Sequence, residues 1–202
     1  IGAMGARVRK SPDVISAAVA GAALSTVATV VQMCLVLAAT SMSTLRALSV
    51  PLICAGIAAV AYGAAFTVRA LRESDAAESQ PGHAFSLPVA LGFALTLSAV
   101  LIASAALREW FGETGVIVAA AAAGFVDTHS AAIAIATLVA SGKMTAADAV
   151  FPILAAFTTN TVSKVIFAWS SGSRPYALRL IPGLILVAGA AWAGARLTSL
   201  VS

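Results

Sequence analysis

The chain has 202 residues, of which 60% are hydrophobic and 10% charged, with a formal net charge of +4 and a mean hydropathy of +0.99. A water-soluble globule of this length needs far more charge to cover its surface, so a cytosolic enzyme, a secreted disulfide scaffold and a disordered tail are excluded. What remains is a polytopic membrane protein.

The twelve Lys and Arg are spread along the chain between apolar runs and read as membrane-flanking anchors, with no nucleic-acid partner implied. The only cysteines, Cys34 and Cys54, sit inside apolar runs without a second ligand at metal spacing and read as packed thiols. The opening IGAMGARVRK is basic and lacks an apolar core, so it does not read as a cleavable signal peptide. Because the first residue is Ile1 and not Met, the expectation is a single transmembrane domain over residues 1–202 that is a piece of a longer chain, with an upstream part missing.

In chain order, six apolar segments approach the roughly twenty residues that a helix needs to cross the hydrocarbon core. Segment one covers residues 14–39, after start signals at Ser11, Pro12 and Asp13. A short polar turn, TSMSTLRA, leads to segment two over residues 48–68, with Pro51 in its first turn. Residues 69–84 carry dense charge and predict a solvated loop, in which His83 is a solvated side chain. Segment three, residues 85–107, closes with Arg108, Glu109, Trp110 and Phe111, aromatics beside charges as at a membrane interface. Segments four (115–140), five (146–169) and six (176–201) follow, joined by the tight links SGKMT and SSGSRP. Trp110, Trp169 and Trp192 read as interfacial belt residues, and Asp148 as a carboxylate in the first turn of segment five, where it suits the helix dipole.

With six crossings, Arg7, Arg9, Lys10, Arg69, Arg72, Lys143 and Arg196 fall on the side of the N-terminus, and Arg46, Arg108, Arg174 and Arg179 on the other. That asymmetry predicts both termini in the cytoplasm. Runs such as residues 17–22 and 189–194 are almost entirely Ala and Gly. Since lipid tails satisfy Leu as well as a neighbouring helix does, close approach through small residues is what would hold these helices together, in a tight bundle or a homo-oligomer.

Segments four and five stand out for polarity. Near the centre of segment four the sequence reads Gly124-Phe125-Val126-Asp127-Thr128-His129-Ser130. About twelve residues from either end, at 1.5 Å per residue, Asp127 falls close to the bilayer midplane, where an ionised carboxylate costs on the order of 3 kcal/mol. Segment five supplies Thr158, Thr159, Asn160, Thr161, Ser163 and Lys164. Asn160 and Lys164 share a helix face, and a short link would set segments four and five antiparallel with their polar centres at one depth. Asp127 and His129, two apart, converge only if the helix unwinds, so an interruption over residues 124–130 is expected. The predicted ion or substrate site is therefore Asp127, His129, Asn160, Thr159 and Lys164: the carboxylate for a cation or proton, His129 as second ligand or proton relay, Asn160 and Thr159 as oxygen donors, Lys164 as Asp127's alternating partner. The competing reading is interhelical glue with a buried Asp127–Lys164 pair, although such hydrogen bonds contribute only about 0.6 kcal/mol each. No nucleophile accompanies His129 and Asp127, no phosphate-binding glycine loop is present, and neither an enzyme nor a cofactor is indicated.

Gly124-x-x-Asp127-x-His129-Ser130-Ala131 followed by Thr159-Asn160-Thr161-x-x-Lys164 resembles the uncharacterised membrane domain that follows an MgtC/SapB domain in many bacterial proteins, as does the basic Gly5-Ala6-Arg7-x-Arg9-Lys10-x-Pro12 opening. In that family a second aspartate stands where this chain has His129, and an arginine late in segment one is replaced by a neutral residue near Gln32. The resemblance implies a bacterial inner-membrane location, an upstream partner domain and a loose association with magnesium homeostasis. The expectation is an all-α, six-helix integral membrane protein that moves an ion or small solute. The alternative is a non-transporting assembly or regulatory module that binds another membrane protein or lipid.

Overall fold

The computed structural model describes residues 1–73 and 115–201, and no strand occurs among them. The basic opening forms a helix, α1 (Gly2–Lys10), followed by a single 3-10 turn at Pro12–Val14, where the proline lacks a donor that the first turn does not need. α2 (Ile15–Thr40) matches segment one. The predicted polar turn contains a short helix, α3 (Met42–Ala47), capped by Ser41 Oγ, which accepts from Thr44 N at 3.3 Å. α4 (Ser49–Glu73) begins where segment two was expected to begin but runs on through residues 69–73, the first part of the predicted loop. Arg69, Ala70, Leu71, Arg72 and Glu73 are all good helix formers, and long basic side chains can carry a helix past the membrane edge. Segment three, Trp110, His83 and the rest of that loop lie outside the described residues.

Segment four departs most from expectation. It is two short helices, α5 (Gly115–Gly124) and α6 (Thr128–Ala140), separated by a turn at residues 125–127. Val116 and Ile117, at the start of α5, line one cleft with Leu138 near the end of α6 and with Phe151 and Pro152 at the start of α7 (Val150–Ser171). In a straight helix, residues 117 and 138 would stand about 30 Å apart. α5 runs alongside α7 in the same direction, since Thr159 Oγ1 donates to Ala121 O and Ser163 Oγ to Phe125 O, both at 2.7 Å. The chain therefore enters from the α3 end, turns at residues 125–127 and returns to that end: segment four is a re-entrant hairpin, not a crossing.

This reverses the parity of everything downstream. α7 ends beside α1, where Arg9 donates from Nε to Gly172 O at 3.2 Å and from Nη2 to Ser170 O at 2.7 Å. α8 (Arg174–Val201) starts at that same end, with Tyr176 Oη donating to Ile1 O at 3.1 Å, and runs antiparallel to α4. Gly183 passes the Tyr62 ring and Gly194 passes Pro51, so closely that a Cβ would lie 2.4 Å and 2.8 Å from them. The two ends of the described chain thus sit at opposite ends of the bundle, and the expectation of both termini on one side is corrected. Arg174 and Arg179 join Arg7, Arg9, Lys10, Arg69 and Arg72 at the α1 end, while Lys143 and Arg196 join Arg46 at the α3 end.

Four helices, Pro12–Thr40, Ser49–Arg72, Val150–Ser171 and Arg174–Thr198, are long and apolar enough to cross a membrane. α4 packs most extensively against α8 and α2, and the Ala-rich stretch of α2 is buried at Ala18, Ala20, Ala22 and Ala23. Small residues do allow close approach within this one chain. Trp169 is exposed at the end of α7, as a belt residue would be. Trp192 is half-buried: its Nε1 donates to Thr158 Oγ1 at 2.9 Å and its ring packs edge-on against Phe151. α7 begins later than read, at Val150, so Asp148 lies in the turn before it and accepts from Thr145 Oγ1 at 2.6 Å.

Buried apolar residues fall into two clusters. One fills the α3 half, with Met33, Leu37, Leu48, Ile153 and Ile135; the other fills the α1 half, with Val8, Val19, Tyr176 and Leu180. On α2 the clusters are separated by Thr26 and Thr29, and on α7 by residues 158–164. The hairpin turn is hydrogen-bonded to that polar interval of α7.

Candidate functional site

Asp127 stops α5 and starts α6. Its backbone is extended (φ −152°, ψ 116°), its N–H still bonds to Ala123 O at 2.9 Å, and its side chain caps α6 by accepting from His129 N at 3.1 Å and Ser130 N at 2.9 Å. A short acceptor side chain at the N-cap satisfies amides that would otherwise be orphaned, and the helix dipole favours its negative charge. The same oxygens also meet His129 Nδ1, at 2.8 Å from Oδ1, and the Ser130 hydroxyl, which donates to Oδ2. All four lone-pair positions of the carboxylate are taken. Side-chain exposure is 23% for Asp127 and 22% for His129, so neither is sealed from its surroundings.

Two further helices close on this tip. From α2, Thr29 offers its carbonyl to His129 Nε2 at 3.3 Å. From α7, Lys164 Nζ donates to Thr29 Oγ1 at 2.9 Å, and that hydroxyl in turn donates to Ser25 O at 3.0 Å. Gly124 lets α5 reach α7, since a Cβ there would lie 2.2 Å from Ala156 O and 2.3 Å from Thr159 Oγ1. Non-helical backbone at membrane depth needs internal partners, and the Ser163 hydroxyl supplies one to the Phe125 carbonyl. The Thr128 hydroxyl, next to the cap, is buried at 1% exposure and has no hydrogen-bond partner among the described residues.

Of the five predicted residues, the structure brings Asp127, His129 and Lys164 to one place, in a different arrangement from the one expected. The expected Asp127–Lys164 pair is not formed: Lys164 bonds to Thr29, and Asp127 is joined to it only through His129 and Thr29. Thr159 Oγ1 bonds to the Ala121 and Ala156 carbonyls and ties α5 to α7. Asn160 is half-buried on α7, with no side-chain hydrogen bond among the described residues. Thr29, which sequence reading passed over, is the connecting residue. Its signal was its place in the middle of segment one, but that segment holds several threonines and serines. Among the described residues, no three or more His, Cys, Asp or Glu converge to hold a metal ion.

Fold and site together define an all-α membrane protein with a capped helical turn held inside its helix bundle. The chain belongs to the family described as Domain of unknown function (DUF4010), whose model matches residues 1–172, every site residue included. Comparison with curated proteins and with solved structures gives no match.

Proposed function

We propose that this protein passes an ion or small solute across the membrane through the polar layer at the hairpin tip. The observation that carries this reading is the tip itself, where the chain breaks its helix inside the bundle and presents a carboxylate and an imidazole, the latter joined through Thr29 to a lysine. Transporters build midplane sites from such discontinuous helices, and charged groups at that depth are costly enough to be kept for a task. The Ser130 hydroxyl engages Asp127 and not the imidazole, which supports a non-enzymatic role. The concentration of Arg and Lys at the α1 end favours that end for the cytoplasm, and the likeness to the domain that follows MgtC/SapB favours a bacterial inner membrane and an upstream partner. Helix faces rich in Ala and Gly suit a homo-oligomer.

In proteoliposomes, the wild type is expected to carry flux of a proton or cation, and Asp127→Asn to reduce it at least tenfold while leaving the folded protein intact. Flux unchanged in Asp127→Asn would remove the site. Absence of any wild-type flux would favour the second reading, a regulatory or assembly module, which draws support from the complete occupation of the Asp127 oxygens by its own helix.

A further inference from the structure

Each nitrogen of the His129 ring faces an oxygen on a different helix. Nδ1 stands 2.8 Å from Asp127 Oδ1 at the head of α6, and Nε2 stands 3.3 Å from the Thr29 carbonyl of α2. A neutral imidazole has one N–H, whereas a carbonyl and an ionised carboxylate can only accept. With Asp127 ionised and His129 neutral, one of the two contacts would set lone pair against lone pair. Both contacts are satisfied when one more proton is present, either as imidazolium beside carboxylate or as carboxylic acid donating to Nδ1. In both forms Nε2 carries a hydrogen and donates it to Thr29.

A metal cation is the alternative ligand, and the carboxylate has no position left for one. Oδ1 receives His129 N and Nδ1, and Oδ2 receives Ser130 N and Oγ. The titratable groups that face the ring are few among the described residues. Asp127 lies on its own helix, Lys164 reaches from α7 to the hydroxyl of Thr29, and α2 offers Thr29 alone.

We propose that the ligand of this site is a proton held jointly by Asp127 and His129, and that it fastens the hairpin tip to α2 through Thr29. This rests on the transport reading only in taking that proton as the coupled ion. Loss of the proton to water leaves Asp127 ionised and His129 with one N–H for two acceptors; the charged, nearer carboxylate keeps that N–H on Nδ1, so the ring lets go of the Thr29 carbonyl on α2. The site is then a proton-dependent latch between the re-entrant hairpin and a membrane-crossing helix.

The chain has two histidines, so in a His83→Ala background [15N]histidine reports His129 alone. In lipid bilayers at neutral pH, solid-state NMR should show a protonated Nε2. An unprotonated Nε2 with hydrogen on Nδ1 would overturn the proposal. As pH is raised, Nε2–H should be lost in this background but retained over the same range once Asp127→Asn is added, because the asparagine amide donates to Nδ1 and leaves the ring proton on Nε2. Identical pH profiles in the two chains would overturn it as well. Added Mn2+ should leave the His129 signal unbroadened; broadening would replace the proton by a metal. Flux in the liposome assay decides the transport reading separately, since a protonated Nε2 without flux keeps the latch and removes the conduit.

Discussion

The crossing helices and the re-entrant hairpin are held by different forces. Where α2, α4 and α8 meet, contacts are close and mostly apolar, apart from Tyr62 Oη, which donates from α4 to Arg179 O of α8, and several hydroxyls turn back on their own helix: Thr26 to Ala22 O, Thr40 to Val36 O, Thr67 to Gly63 O. The hairpin is instead tied to its neighbours by side chains that reach across, from Thr159 and Ser163 to carbonyls at the end of α5. A continuous helix satisfies its own backbone and needs only shape from a partner. A turn inside a membrane does not, so its partners must bring donors. Crossing helices can therefore tolerate polar loss that the hairpin cannot.

The largest expected effect is all-or-none. Cysteines placed at Lys143 and Arg46 in a Cys34→Ala, Cys54→Ala background should label from the same side of sealed vesicles, and one at Arg174 from the other. Labelling of Lys143→Cys together with Arg174→Cys, and not with Arg46→Cys, would abolish the hairpin. Next in size, Gly124→Ala should destabilise by about 2 kcal/mol, as overpacking at a close contact does. Gly189→Ala, where a Cβ would meet nothing within 4 Å, should be neutral or stabilise by up to about 1 kcal/mol. Both are read from thermal unfolding in detergent. Smaller still, Ser163→Ala leaves the Phe125 carbonyl without its donor and should cost about 1 kcal/mol, whereas Thr161→Ala, whose hydroxyl bonds to Phe157 O of its own helix, should cost only a few tenths by the same measurement. Equal costs for the two would erase the distinction between the regions.

The sequence carried the membrane class and, to within a residue or two, the starts of α2, α4 and α8, because hydropathy is a local property, while α7 was read four residues early. It also pointed to an interruption, since Asp127 and His129 cannot converge on a regular helix. The sense of that interruption was not legible. Residues 115–140 have the length of one crossing, and apolar content alone does not separate a span from two arms of ten and thirteen residues. The structure makes Asp127 an N-cap, yet a cap marks where a helix starts and not where the chain came from. That one parity error moved Lys143, Arg174, Arg179 and Arg196 to the wrong ends. Thr29 was missed because pairing across helices depends on rotation about their axes, which packing sets.

The two apolar clusters on either side of the polar layer make the molecule lopsided. Both arms of the hairpin run to the α3 end, so the approach to Asp127 from there lies along helix termini and a turn. Towards the α1 end, Val8, Val19, Tyr176 and Leu180 are stacked like a cork, tied in place by Arg9 on the last carbonyls of α7. The short basic helix at the start of the chain is therefore seated on the bundle like a lid on its rim, pinned by a single guanidinium that bridges Ser170 and Gly172.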